Sequence, residues 1–326
     1  MDASRLHAQA SPVSVAALIA IDWGTTSARA YRQDACGRVV AERTAPLGIA
    51  QLRGDGFACA LATLLGDWAE EPAPRVACGM IGSRQGWIEA PYRDCPADLD
   101  ALATALAHAP GGALAIVPGV TCVDAAGVPD VMRGEETQIF GALAPANRDA
   151  SASPLIVLPG THCKWARVTA GRIEAFATFL TGELYAVLKQ HSILGRMMAP
   201  GNEPAVVDSA AYERGVRRGL ATAGSGASLL HDLFGTRTLA LFGALEPPAA
   251  ADYLSGLLIG SEIREGLAWA TGQGVEAGHV TLVGAPALTG RYVTAFGVAG
   301  IAAGVGPADA APRGLWRIAQ RAGLVG

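Results

Sequence analysis

Two kinds of apolar spacing alternate along this chain, and one long pattern of them occurs twice. From Leu18 the residues read LIAIDWGTTSARAYRQDACGRVVAERTA, and from Leu155 they read LIVLPGTHCKWARVTAGRIEAFATFLTG. Each begins with a four-residue aliphatic run, passes a Gly-Thr turn, resumes as an alternating stretch, turns at a glycine and alternates again. A period of two marks half-buried strands, so each segment reads as strand, turn, strand, turn, strand. The matched glycines, Gly24 with Gly160 and Gly37 with Gly171, fall at the turns, where a positive φ or a close backbone approach excludes a side chain. The two segments read as one structural unit used twice.

Helical spacing follows each unit, at 57–68, 99–107, 137–143, 182–191, 210–220, 227–233, 253–269 and 315–322, with short strands between at 75–78, 114–117, 239–242 and 279–283. This alternation predicts an α/β fold of two domains, each a mixed sheet flanked by helices, with a cleft between them. Residues 1–12 have no periodicity and read as a loose tail. The segment 145–154, rich in Ala, Ser, Pro and Asn, is the expected boundary between a domain at 13–150 and one at 151–326. The last helix is expected to return toward the first domain.

Composition removes several classes of function. About half of the 326 residues are apolar and 17% are charged, enough for two packed cores. A formal charge of −4 with no basic stripe argues against a nucleic-acid partner. The apolar run 13–21 is too short to span a bilayer and leads into a polar turn without a cleavage site, so no membrane anchor or signal peptide is expected. The six cysteines form no C-x-x-C pair and read as buried thiols in a reducing, cytoplasmic setting. A homodimer is expected from base rate alone.

The duplicated turns carry the candidate chemistry. In Asp22-Trp23-Gly24-Thr25-Thr26 the turn offers backbone N–H groups and two hydroxyls, the combination that wraps phosphate oxygens. Asp22, where the aliphatic strand ends, suits a hydrated Mg²⁺ rather than the phosphate, which would repel it. The second turn, Gly160-Thr161-His162 with Lys164 behind it, adds N–H groups and a cation. Two such turns facing each other across a cleft form a site for ATP. His162 reads either as a phosphate contact or as a hydrogen-bonded structural residue.

These residues carry a resemblance. The stretches IDWGTTSAR, GMIGSRQGWIEAPY, PDVMRGEETQIFGAL, LPGTHCKWARV, TFLTGELYAVL with HSILGR, YLSGLLIGSEI and LVGAPALTGRY run in order from Ile21 to Tyr292. Together they resemble the 2-dehydro-3-deoxygalactonokinase family, within the superfamily of sugar kinases, actin and heat-shock chaperone ATPases. The family pattern has Ser more often than Cys at position 163. The resemblance implies the two-domain actin-like ATPase fold and ATP- and Mg²⁺-dependent phosphorylation of 2-dehydro-3-deoxy-D-galactonate at its terminal hydroxyl. It also implies that an acid near the start of the helix after Asp130-Val131-Met132-Arg133-Gly134-Glu135-Glu136 serves as base.

Phosphoryl transfer needs positioning, charge stabilisation and one group that takes the hydroxyl proton. Glu135 leads for that role and Asp130 is second, although Glu135 and Glu136 also suit a helix N-terminus through the macrodipole. A keto-acid carboxylate calls for an Arg fork. Arg84 in Gly82-Ser83-Arg84-Gln85-Gly86-Trp87 leads, with Arg133 as the alternative. Ser83, Gln85, Trp87 and Glu136 are further substrate candidates, and Glu183 reads as pocket or helix cap. For the nucleotide base, Gly284 to Leu288 offers small residues after a strand, and Gly256 and Gly260 permit close approach on one helix face, to a nucleotide or to a neighbouring helix. A kinase for another sugar acid, such as 2-dehydro-3-deoxygluconate, and a non-catalytic sugar sensor are the alternative functions. The short segment before the first strand has no room for a helix-turn-helix, which counts against a sensor of the DNA-binding kind.

Overall fold

In the computed structural model, residues 16–143, 155–198, 208–221 and 228–326 are described. The expected tail at 1–12 and link at 145–154 lie outside them.

The first half runs β1 (Leu18–Trp23), β2 (Ala28–Gln33), β3 (Val39–Ala45), α1 (Gly56–Leu65), β4 (Arg75–Cys78), β5 (Tyr92–Asp94), α2 (Leu99–Ala103), β6 (Ala107–His108), β7 (Ala115–Ile116), β8 (Gly119–Val123), β9 (Pro129–Met132) and α3 (Glu135–Ala142). The second runs β10 (Leu155–Leu158), β11 (Cys163–Thr169), β12 (Arg172–Phe179), α4 (Thr181–His191), α5 (Ser209–Leu220), α6 (Leu229–Leu241), α7 (Pro247–Gly272), β13 (His279–Leu282), α8 (Pro286–Val298), β14 (Ala302–Val305) and α9 (Ala310–Arg321).

The doubled pattern appears as two sheets built alike. One has the order β3-β2-β1-β4-β7-β6 and the other β12-β11-β10-β13-β14. In each, an antiparallel meander presents its first strand to a parallel neighbour, β1 to β4 and β10 to β13. These first strands lie inside their sheets with both faces covered, and so read as unbroken aliphatic runs. Gly37 and Gly171, at the second turns, have φ of 76° and 77°. The left-handed region disfavours an L side chain, so the same residue recurs at the same place.

A third sheet, β5-β8-β9, belongs to the first half in sequence but lies along β12, the edge of the second sheet. Ala97 and Ile173 exchange backbone hydrogen bonds there. Farther along β12, the Thr178 amide and hydroxyl donate to the Asp130 carboxylate at 2.7 and 2.6 Å.

One apolar cluster joins the two large sheets. It includes Leu18 and Val76 from one, Ile156 and Leu158 from the other, and Leu315 and Ile318 from α9. The last helix packs its apolar face against α3, α2, β1 and β4 of the first half, while Arg313, Arg317 and Arg321 mark its polar side. It reaches α3 at very short range, since a Cβ on Gly314 would lie 1.9 Å from Thr137 O.

Three sequence expectations change. Residues 239–242 are not a strand: α6 runs through Leu241, because a short apolar run suits either element and the helix begun at Leu229 continues across it. The expected helix 99–107 ends at Ala103, and Ala107 opens a short strand. Cys36 and Cys59 are exposed, while all six cysteines are free thiols.

Two substitutions test the packing. Gly314→Ala places a methyl against the α3 backbone and should lower the unfolding free energy by about 1–3 kcal/mol. Gly290→Ala, on an open face of α8, should raise it by about 0.5–1 kcal/mol. Urea denaturation of both proteins gives the signs, and equal effects would contradict the packing described.

Candidate active site

Both Gly-Thr turns are held by the same device. In the first, the amides of Gly48, Ile49 and Ala50 donate to the carbonyls of Thr26, Gly24 and Thr25. A Cβ on Gly48 would lie 2.2 Å from Thr25 O, so only glycine permits this approach. In the second, the Glu183 amide donates to Thr161 O at 2.9 Å, and a Cβ on Gly182 would lie 2.2 Å from Gly160 O. With the carbonyls turned inward, the repulsive ends of the peptide dipoles face away from an incoming anion. Thr25, Thr26, Thr161 and His162 remain exposed on the other side. This is the polarity a phosphate cradle needs.

Gly48 and Gly182 were not singled out from sequence, although a signal existed. The second unit ends FLTG and the first continues APLG, so extending the repeat by three residues aligns the two glycines.

Asp22 stands at the end of β1 beside Gly79, whose Cβ would lie 3.5 Å from Asp22 Oδ1. Gly79 in turn abuts Gly134, with 3.1 Å from a Gly134 Cβ to Gly79 Cα, which brings the start of α3 next to Asp22. Burial raises the Asp22 carboxyl above its ordinary value, and the Arg29 guanidinium opposes this. Among the described residues no group of three or more His, Cys, Asp or Glu could hold a metal. A single carboxylate fits Mg²⁺ that keeps water and phosphate oxygens as its other ligands.

The two acids of α3 differ. Glu135 is partly exposed and accepts from the Arg133 amide at 3.0 Å. Burial raises its carboxyl, while the nearby Lys164 and His162 charges pull it down. Glu136 is fully buried, accepts from the Gly134 amide (2.6 Å) and the Thr137 hydroxyl (2.9 Å), and is pushed up to about 7, chiefly by burial and then by the Glu135 charge. It has no surface for a substrate, contrary to its place among the substrate candidates.

Other candidates are also redirected. Asp130 is engaged by Thr178 and by the Val131 amide, which makes it a seam residue rather than an open base. The buried Lys164 ammonium donates to Val131 O (2.9 Å) and Thr178 Oγ1 (2.7 Å), so it ties β9 to the second sheet and acts on Glu135 through space instead of gripping a phosphate. Ser83 is buried and bonds Met80 O at 2.7 Å. Trp87 stacks on Phe57, with centroids 6.2 Å apart. Gly260 is occupied by helix packing, since its Cβ would lie 2.4 Å from Val216 O on α5, and Gly256 meets Tyr212 O in the same way. Glu183 lies in the first turn of α4 with its carboxylate on His162, so it caps nothing.

Arg84 and Gln85 are exposed at the loop tip, with Arg84 Nε 3.8 Å from Glu89. Arg133 is buried over the Tyr92 ring at 4.3 Å and donates to Ala90 O, while its Nε and Nη1 have no hydrogen-bond partner.

Beside the second turn a cavity of about 290 Å³ opens between Gly160, Gly182, Tyr185, Ile259, Ala285 and Leu288. Gly284, with φ of 156°, lies against Pro159 O just before the turn. Beneath the cavity, Glu262 accepts from Trp165 Nε1 (2.8 Å) and the Tyr292 hydroxyl (2.6 Å), and Cys163 Sγ lies 3.1 Å from that hydroxyl and 3.4 Å from Gly160 O. A small apolar cavity with a phosphate-type turn at its mouth suits a nucleoside phosphate.

The sequence model of a family described as 2-keto-3-deoxy-galactonokinase matches residues 22–318. The chain belongs to this family. The 2-keto-3-deoxy-galactonokinase family match is supported by a relative named 2-dehydro-3-deoxygalactonokinase from Escherichia coli (strain K12), 39% identical over 280 residues, or 85% of this chain and 88% of the other. A Sinorhizobium meliloti crystal structure described as a 2-dehydro-3-deoxygalactonokinase protein superposes with a TM-score of 0.83 at 36% identity, covering 93% of this chain and 98% of that one. Component A of the Acidaminococcus fermentans (R)-2-hydroxyglutaryl-CoA dehydratase, 14% identical with a TM-score of 0.50 and covering 94% of this chain and 96% of that one, shares the fold alone. The fold is the actin-like ATPase type on which the family builds its kinases.

The buried acid gives a pH test. Glu136 holds its proton more tightly in the folded state than its ordinary value of 4.5 allows. Its stabilising contribution is therefore complete below pH 4.5 and lost as the pH rises to about 7. Glu136→Gln keeps a neutral side chain throughout, so its stability relative to the parent should rise by about 3 kcal/mol across that window. Urea unfolding at several pH values measures the difference, and a flat difference would place the proton elsewhere.

Proposed function

We propose that the protein phosphorylates 2-dehydro-3-deoxy-D-galactonate at its terminal hydroxyl, taking the γ-phosphoryl group of ATP. The observation that carries this reading is the pair of turns with sequestered carbonyls, one of them at the mouth of a nucleoside-sized cavity. The adenine enters between Leu288, Ala285 and Ile259, and the phosphates extend over Gly160 and Thr161 toward Gly24, Thr25 and Thr26. Asp22 would hold Mg²⁺, which when bound would supply neutralisation of the phosphate charge.

Glu135 takes the proton of the acceptor hydroxyl as its oxygen bonds to the γ-phosphorus and ADP leaves. Its partial burial raises its basicity toward working pH, and Lys164 and His162 keep it ionised before transfer. Arg84, exposed on a loop that Gly86 keeps tight against Ile81 O, is placed to receive the carboxylate of the acid. Arg133 shapes the loop from behind through Ala90. The family match and the named relatives support the choice of acceptor. Among the described residues no helix is long and apolar enough to cross a membrane, and the six cysteines are free thiols.

Release of ADP measured with a panel of 2-keto-3-deoxy acids, and with a matching sugar lacking the carboxylate, tests this reading. The galactonate-derived acid should give the highest kcat/KM and a 6-phosphate product; preference for another acid or no turnover would overturn it. In the same assay Glu135→Gln should lower kcat by about a hundredfold or more with little change in KM for ATP. An unaltered kcat would remove Glu135 from the reaction.

A further inference from the structure

The small sheet brings two thiols together in the seam between the halves. β5 pairs in parallel with β8, Asp94 opposite Thr121, and the Cys95 amide continues the ladder by donating to Thr121 O at 2.8 Å. Cys95 therefore stands beside Cys122, one register step on. Parallel neighbours lie about 4.8 Å apart, within the Cα separation of about 4.4–6.8 Å that a disulfide spans. Both residues are half-buried, unlike the enclosed Cys78 and Cys163 and the exposed Cys36 and Cys59.

Their surroundings give the pair a consequence. Cys122 Sγ donates to Phe176 O on β12 at 3.3 Å, and Cys122 pairs across the ladder with Asp130 on β9. Three contacts thus follow one another along β12: Ile173 with Ala97, Phe176 with Cys122, and Thr178 with Asp130. The thiol pair occupies the middle of the seam that joins the small sheet to the second half. Oxidation would remove the S–H that bonds Phe176 O.

We propose that Cys95 and Cys122 form a reversible dithiol–disulfide couple, oxidised by a low-molecular-weight disulfide such as oxidised glutathione, that loosens the small sheet from β12. Cys122 gives up its proton to water, and its thiolate attacks one sulfur of the oxidant, forms a mixed disulfide and releases one glutathione thiolate, which takes the Cys95 proton. The Cys95 thiolate then attacks Cys122 Sγ and expels the second glutathione as a thiolate, which takes back a proton from water. Two electrons pass from the pair to the oxidant, and two reduced glutathione molecules leave. Cys122 is the first nucleophile because its thiol is lowered beside Cys95, whereas that of Cys95 is raised.

The full-length protein is incubated with oxidised glutathione, the remaining thiols are alkylated, and peptides are read by mass spectrometry. A Cys95–Cys122 bridge should form and reverse with dithiothreitol. Cys95→Ser should stop the reaction at a glutathione adduct on Cys122, and Cys122→Ser should leave Cys95 a thiol. Glutathione on Cys36 and Cys59 with both seam cysteines alkylated would overturn the proposal. Hydrogen exchange of the Ala97 and Ile173 amides tests the seam separately: it should quicken about fivefold on oxidation, the scale of one modest hydrogen bond. Bridge formation with unchanged exchange would refute the loosening.

Discussion

The site depends on where the carbonyl groups of two turns point. A Gly-Thr turn exposes donors and acceptors equally, and an anion gains from the first only when the second are removed. Here the removal is done by backbone, through the amides of Gly48 to Ala50 in one half and of Glu183 in the other. Such close approach requires the missing side chains of Gly48 and Gly182. The rest of the fold delivers those segments: the chain leaving each meander's third strand returns to the first loop, and each sheet repeats the arrangement. Duplication of the unit thus yields two cradles of the same polarity.

Around the cradles the protein keeps acids in apolar surroundings. Asp22, Glu135, Glu136 and Glu262 are all raised by burial before anything else. A buried carboxylate is costly unless it is bonded or protonated. Glu262 is satisfied by the Trp165 indole N–H and the Tyr292 hydroxyl beneath the cavity. Glu135 is offset by the Lys164 charge from the opposite half. The seam between the halves is therefore part of the chemistry: Lys164 bridges Val131 and Thr178 while tuning the acid at the start of α3.

The repeat, the two turns and the acidic helix start were legible in sequence because each is local, fixed by spacing within a few residues. The roles of Lys164, Ser83 and Glu136 were not, because each depends on a neighbour that only the tertiary fold supplies. Lys164 finds its carbonyl 33 residues away, on β9. Glu136 looks like its neighbour Glu135 in sequence, and one step around the helix separates an enclosed acid from one that faces the site. Gly260 carried the right spacing for close approach, and the partner is α5 rather than a nucleotide. Residues 239–242 show the same limit for elements, since four apolar positions suit strand or helix until their flanks decide.

The claim that sequestered carbonyls create the phosphate cradle is tested most directly by Gly48→Ala, which disturbs the first turn far from the base cavity. Calorimetric titration compares the affinities of ATP and adenosine for the variant and the parent. Adenosine has no phosphates and should bind both proteins equally, whereas ATP should bind the variant about ten- to a hundredfold more weakly, as expected for losing charge-assisted bonds. Equal ATP affinities in a folded variant, or equal weakening of ATP and adenosine, would contradict the account.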